Sequence, residues 1–196
     1  MSGARARDAE VASGLIAGEA WAIAQTWHRF APMVLLTAER SLGSRTEAED
    51  VVQEVFCRVF RKAKTLRDPD RLRSFVYSFA VRVLKVELRR RRVRGWFPFF
   101  KPEPPPEVLF RASDFESRDL LAKLYALLDR LTPRDRLVFV LRRMESMTVD
   151  EIAATMDLST STVKRSMAHA SSRLSRWVEA DPELAELSRG QHWGRR

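Results

Sequence analysis

The sequence predicts an all-α protein: two small helical domains joined by a proline-rich linker, the second containing a helix-turn-helix. Three observations carry this expectation. Apolar residues recur at steps of three and four, and no period-two alternation bounded by turn pairs appears. Glycine is absent from 44 to 94 and again from 96 to 189, so little interrupts the helical pattern between those limits. Five of the nine prolines, Pro98, Pro102, Pro104, Pro105 and Pro106, fall together just after Gly95. This divides the chain into a first domain over 15–94, a linker over 95–114, a second domain over 115–178 and a polar tail over 179–196.

The first helical stretch spans about Glu19 to Leu42, with Trp21, Ile23, Trp27, Phe30, Val34 and Leu35 as its apolar positions. Pro32 is expected to kink or divide it, because proline lacks the backbone donor and its ring meets the preceding turn. Gly43 supplies the stop. Ser44 with Glu47, and Thr46 with Glu49, are overlapping capping-box spacings for the next helix. That helix puts Val51, Val52, Val55, Phe56, Val59 and Phe60 on a core face, and Cys57 within the same apolar run reads as a buried thiol. Glu49, Asp50, Gln53 and Glu54 gather near its start, where negative charge suits the helix dipole. After a loop around Asp68-Pro69-Asp70, a long helix carries Leu72, Phe75, Val76, Phe79, Ala80 and Val83. From Arg82 to Arg94 it holds seven basic residues against the single acid Glu87. That density can neutralise several phosphates, with counterion release as the driving force.

The linker is apolar as well as proline-rich, with Trp96, Phe97, Phe99 and Phe100 close together. Prolines favour extended, polyproline-like backbone, and exposed rings there suit a groove on a flanking domain or partner. In the second domain a leucine stripe from Leu120 to Leu131 predicts one helix. Thr132, with Pro133 at the favoured first position and Asp135 in the first turn, begins another. Thr148-Val149-Asp150-Glu151 is a capping box for a helix with Ile152, Ala153 and Met156 inward. Asp157-Leu158-Ser159 breaks the run, and Ser159 or Thr160 caps the following helix. There Val163, Met167, Ala170 and Leu174 share one face, leaving Ser161, Thr162, Lys164, Arg165 and His169 on or beside the other. Short hydroxyl side chains among longer basic ones allow close approach to a DNA groove.

Composition narrows the function. A net charge of +9, from 35 Lys and Arg against 26 Asp and Glu, favours a polyanionic partner. One cysteine excludes an internal disulfide framework. No secretory signal or bilayer-spanning apolar run is evident, so a cytoplasmic protein is expected. No phosphate loop, metal-ligand cluster or catalytic triad is evident either, which argues against an enzyme and against a cofactor.

Taken in order, these features resemble a bacterial sigma factor of the sigma-70 family, of the two-domain extracytoplasmic-function type. Ala48-Glu49-Asp50-Val51-Val52-Gln53-Glu54-Val55-Phe56 resembles the family's polymerase-docking helix. Arg73 to Ala80 is similar to its strand-opening segment, and Leu88 to Arg92 to its Leu-Arg-Arg ending. Leu131 to Arg136, Glu151 to Ala153 and Ser161 to Lys164 resemble its second conserved domain. The resemblance covers about residues 19 to 178. It implies that Glu49, Asp50, Gln53 and Glu54 meet core RNA polymerase. Ser74, Phe75, Tyr77, Arg82, Arg89, Arg90 and Arg91 are then expected at the promoter −10 element. Ser161, Thr162, Lys164, Arg165 and His169 are expected to read the −35 element, and an anti-sigma factor is a common further partner. The chain departs from the family at Phe75 where tryptophan is usual, at Arg82 and Val86 for asparagine and aspartate, and at Ser161 for glycine. The residues alone leave room for a stand-alone helix-turn-helix regulator, in which the acidic helix has no evident task.

Overall fold

Local rules account for several helix ends. The computed structural model describes residues 2–94 and 115–190; the aromatic, proline-rich segment falls outside them, as does the end of the tail. α1 (Ser2–Ala17) precedes α2 (Ala20–Leu42), which stops at Gly43 in the left-handed conformation, φ 69°, its N–H bonded to the Glu39 carbonyl at 2.7 Å. α3 (Arg45–Lys62) is capped by Ser44, which accepts from Glu47 N–H. Two single turns of 3-10 helix lead into α4 (Leu72–Arg94). α5 (Phe115–Asp129) and α6 (Pro133–Arg143) follow, the latter capped by Thr132. α7 (Val149–Met156) has both halves of the Thr148/Glu151 capping box. Asp157, φ 55°, turns the chain, Ser159 caps α8 (Thr160–Glu179), and α9 (Pro182–Gly190) closes the described chain.

Several expectations require correction. α2 runs through Pro32 as one helix, so of the kink or division expected there the division does not occur. α1 and α9 were not anticipated: their sequences are rich in small or polar residues, yet Val11, Ala12, Leu15 and Leu184 are buried. Asp181 caps α9 by accepting from the backbone of Glu183 and Leu184. Cys57 is exposed, because Val55, Phe56 and Val59 take the inward arc of α3 and position 57 points away from it. Trp21 and Trp27, read as apolar positions of the first helix, are 46% and 38% exposed.

The two helical units are in contact. One core runs from Leu15, Val34, Val55, Val76 and Leu84 into Leu137, Leu141, Ile152 and Val163 of the second unit. A smaller cluster of Tyr125, Leu128, Leu131, Ala170, Leu174 and Leu184 holds α5, α8 and α9 together. Polar groups cross the seam: Arg40 donates to the Met144 carbonyl at 2.7 Å and to Glu145 at 2.9 Å. Tyr125 lies on Gly43 and donates its hydroxyl to the Glu39 carbonyl at 3.3 Å. Burial pushes the Tyr125 phenol up to about 12. Arg91 reaches the Leu42 carbonyl, Glu47 at 3.3 Å and Asp129 at 3.9 Å. Asp129 also pairs with Arg136, whose side chain is almost wholly buried with Nε and Nη2 unbonded.

Candidate nucleic-acid and polymerase interfaces

The capped turn between α7 and α8 fixes how the second helix presents its outer face. Leu158 N–H returns to the Ala153 carbonyl at 2.9 Å, and Ser159 accepts from Thr162 N–H at 3.2 Å while its hydroxyl lies 3.0 Å from that of Ser161. Val163, Ser166, Ala170 and Leu174 are buried on the inner face. Ser161, Lys164, Arg165 and His169 are exposed and Thr162 is half-buried, so the predicted reading residues form one accessible surface. Its first-turn N–H groups and its cations both suit a phosphate-bearing ligand. Glu151 completes the cap of α7: the Thr148 backbone N–H and hydroxyl hydrogen-bond its carboxylate and hold its pKa below the ordinary range.

His169 has a partner that sequence reasoning missed. Its Nδ1 lies 2.9 Å from Oδ2 of Asp135, a residue only 2% exposed at the start of α6. Burial would raise the Asp135 pKa, but His169, Thr132 and Ser166 together outweigh it and hold the carboxyl below its usual value. Neither Asp135 Oδ1 nor the Ser166 hydroxyl completes a bond of normal geometry, so the hydroxyl acts through a looser contact. No local signal links these residues, since 34 positions separate them.

On α4 the predicted strand-contacting residues divide. Ser74, Arg82, Arg89 and Arg90 are exposed and Phe75 is half-buried. Phe75 and Phe79 meet edge to face at 5.0 Å, and Arg82 lies over Phe79 at 5.5 Å, leaving an aromatic and cationic surface. Tyr77 is only 3% exposed, with Arg73 over its ring at 5.7 Å. Its phenol pKa is raised, first by burial and then by Glu145 of the second unit. Arg91 is tied to Leu42, Glu47 and Asp129. In this arrangement Tyr77 and Arg91 are withdrawn from the surface on which they were expected: Tyr77 where the second unit packs over α4 near Glu145, and Arg91 mainly through Leu42 and Glu47 of the first unit, with Asp129 of the second at longer range.

On α3, Glu49, Asp50, Gln53 and Glu54 are all exposed. Glu49 pairs with Arg45 at 2.7 Å and Glu54 with Arg58 at 2.6 Å, which leaves Asp50 and Gln53 as the more available polar groups between them. Beside them an apolar groove of about 390 Å³ is lined by Trp27, His28, Ala31, Pro32, Leu35, Val52, Gln53 and Glu49. Trp27 stacks at a tilt on Phe56, 4.8 Å between centroids, so its exposed edge is held in place. Sequence reasoning read Trp27 and Leu35 only as apolar positions of the first helix; the polar His28 and helix-disfavouring Pro32 beside them were the available signal for a partly open face. Among the described residues no helix is long and apolar enough to cross a membrane, and no cluster of metal-ligating side chains occurs.

The surfaces just described coincide with known protein modules. Residues 26–94 match the Sigma-70 region 2 family model and residues 121–174 the Sigma-70, region 4 model. The ferric citrate uptake sigma factor FecI of Escherichia coli K12 is 35% identical over 140 residues, 67% of this chain and 76% of FecI. The RNA polymerase sigma factor CnrH of Cupriavidus metallidurans is 29% identical over 166 residues, 77% of this chain and 84% of CnrH. The solved structure of CnrH in complex with the cytosolic domain of CnrY superposes with a TM-score of 0.64 at 26% identity, covering 89% of this chain and 98% of that one. With both modules present in order on the residues that build the two surfaces, the chain belongs to the sigma-70 family of RNA polymerase sigma factors, in its extracytoplasmic-function group.

Proposed function

We propose that the chain binds core RNA polymerase and directs it to promoters, acting as a non-catalytic specificity subunit in the cytoplasm. The observation that carries this reading is one chain holding both an acidic, groove-flanked α3 and a capped α7–α8 pair with an exposed basic face. A stand-alone helix-turn-helix regulator would need only the second.

In this reading Glu49, Asp50, Gln53 and Glu54 contact polymerase, with negative charge steering a basic partner. Ser161, Thr162, Lys164, Arg165 and His169 read the −35 element from the major groove. Ser74, Phe75, Arg82, Arg89 and Arg90 meet the −10 strand, where stacking on aromatic surface replaces base stacking and arginines neutralise phosphate. Tyr77 joins them only when the second unit leaves α4, and Arg91 only when its contacts with Leu42 and Glu47 also open, so engaging a promoter involves separating the two units. CnrH was solved with the cytosolic domain of CnrY, which favours a bound protein partner for this chain, in this reading an anti-sigma factor.

Run-off transcription with purified core polymerase and genomic fragments, including the region upstream of the chain's own gene, tests the reading. Transcripts that start at discrete sites only when the chain is added support it. Absence of any complex with core polymerase at low salt refutes it.

A further inference from the structure

His169 stands on the outer face of α8, one turn beyond Arg165 and about two beyond Thr162, and is 49% exposed. Its Nδ1 is 2.9 Å from the Asp135 carboxylate, which is buried and anchored in the first turn of α6. An ionised carboxylate has no proton to give, so Nδ1 must be the donor in this bond. The remaining ring nitrogen of a neutral imidazole, Nε2, then carries a lone pair and accepts. In the major groove the exocyclic amino groups of adenine and cytosine are donors, while guanine O6 and N7 and thymine O4 are acceptors.

We infer that Asp135 is a positioning residue that fixes His169 as a hydrogen-bond acceptor, so that α8 demands adenine or cytosine at one base of its site. This rests on the reading in which α8 enters the major groove. A free histidine would serve either base class by exchanging tautomers; the buried carboxylate removes that choice. The second carboxylate oxygen makes the arrangement testable. Oδ1 lies 3.7 Å from Arg134 Nε, beyond hydrogen-bond range, but the guanidinium charge favours an oxygen there over an NH₂ group. In Asp135→Asn the amide oxygen therefore stays toward Arg134 and the amide NH₂ turns to His169. It donates to Nδ1, moves the ring proton to Nε2, and converts the reader from acceptor to donor.

The test uses holoenzyme assembled from the full chain and core polymerase, with promoter DNA randomised through the −35 region and bound fragments sequenced at pH 8. Wild type is expected to enrich adenine or cytosine over guanine or thymine about fivefold at one position, the scale of a single net hydrogen bond. His169→Ala, whose folding is checked by circular dichroism because it removes a partner of buried Asp135, flattens that position alone. Asp135→Asn shifts its preference toward guanine or thymine. Unchanged preferences in His169→Ala overturn the inference, as does a uniform loss over all sequences, which marks a phosphate contact. An Asp135→Asn profile identical to wild type makes Asp135 merely structural and also overturns it. Holoenzyme with no −35 preference at any position removes the underlying reading as well, a result distinct from loss of preference at one base.

Discussion

Replacing Gly43 by alanine is expected to destabilise the protein through two separable effects, one local and one between the helical units. Gly43 has φ +69°, where an L side chain costs about 1–2 kcal/mol. A Cβ there would stand 2.6 Å from Cδ1 and 2.8 Å from Cγ of Tyr125. Ordinary carbon contacts begin near 3.5 Å, so the ring must retreat by about 1 Å. The near edge of the ring is not a flexible tip, and Tyr125 is 8% exposed, so the displacement is resisted. Overpacking of this kind costs roughly 1–3 kcal/mol, and it strains the Tyr125–Glu39 hydrogen bond. Gly43→Ala should therefore cost about 2–5 kcal/mol by adding these two terms. In a Tyr125→Ala background only the backbone part remains, leaving a coupling of about 1–3 kcal/mol. Urea unfolding of the four proteins measures it, and a phenol titration gives a second reading: Tyr125 should move from about 12 toward its ordinary 10.0 in Gly43→Ala. Costs that add to within about 0.5 kcal/mol would refute contact between the units at this point.

Asp50→Ala combined with Gln53→Ala should weaken association with core polymerase in a pull-down without lowering the urea midpoint, since both side chains are exposed; unchanged affinity would exclude α3 from docking. Arg165→Ala should cost about 1–3 kcal/mol of binding at one base if the contact is bidentate, and sequencing of bound fragments separates that from a uniform phosphate loss. Thr148→Ala removes the cap hydroxyl of α7 and should cost about 1 kcal/mol of stability by urea unfolding, while Thr148→Ser restores most of it. Asp135 has a folded pKa below its unfolded value, so its contribution is complete above about pH 4 and is lost as pH falls further. The urea midpoint of wild type should drop across that acid range, with a shallower drop in Asp135→Asn.

The family resemblance also illustrates which parts of the site are legible from a chain. The exposed faces of α3 and α8 followed from helical spacing, and Asp50, Gln53, Lys164 and Arg165 are on the surfaces expected for them. Tyr77 and Arg91 were assigned through the family resemblance, and the burial of Tyr77 and the ion pairs of half-buried Arg91 depend on what packs against α4. Cys57 fell within an apolar run, but a run does not define an inward face when the helix turns 100° at each residue.

Residues within four places of one another determined the helix stops and starts: Gly43 with Glu39, Ser44 with Glu47, Thr148 with Glu151, Ser159 with Thr162. Capping and periodicity involve only those near neighbours, so the order of helices and the helix-turn-helix were written in the chain itself. Tertiary structure alone decided that Tyr125 seats on Gly43, that Arg91 meets Asp129, and that Asp135 holds His169. Such contacts join surfaces whose match depends on shape and burial across many residues, which spacing along the chain does not encode.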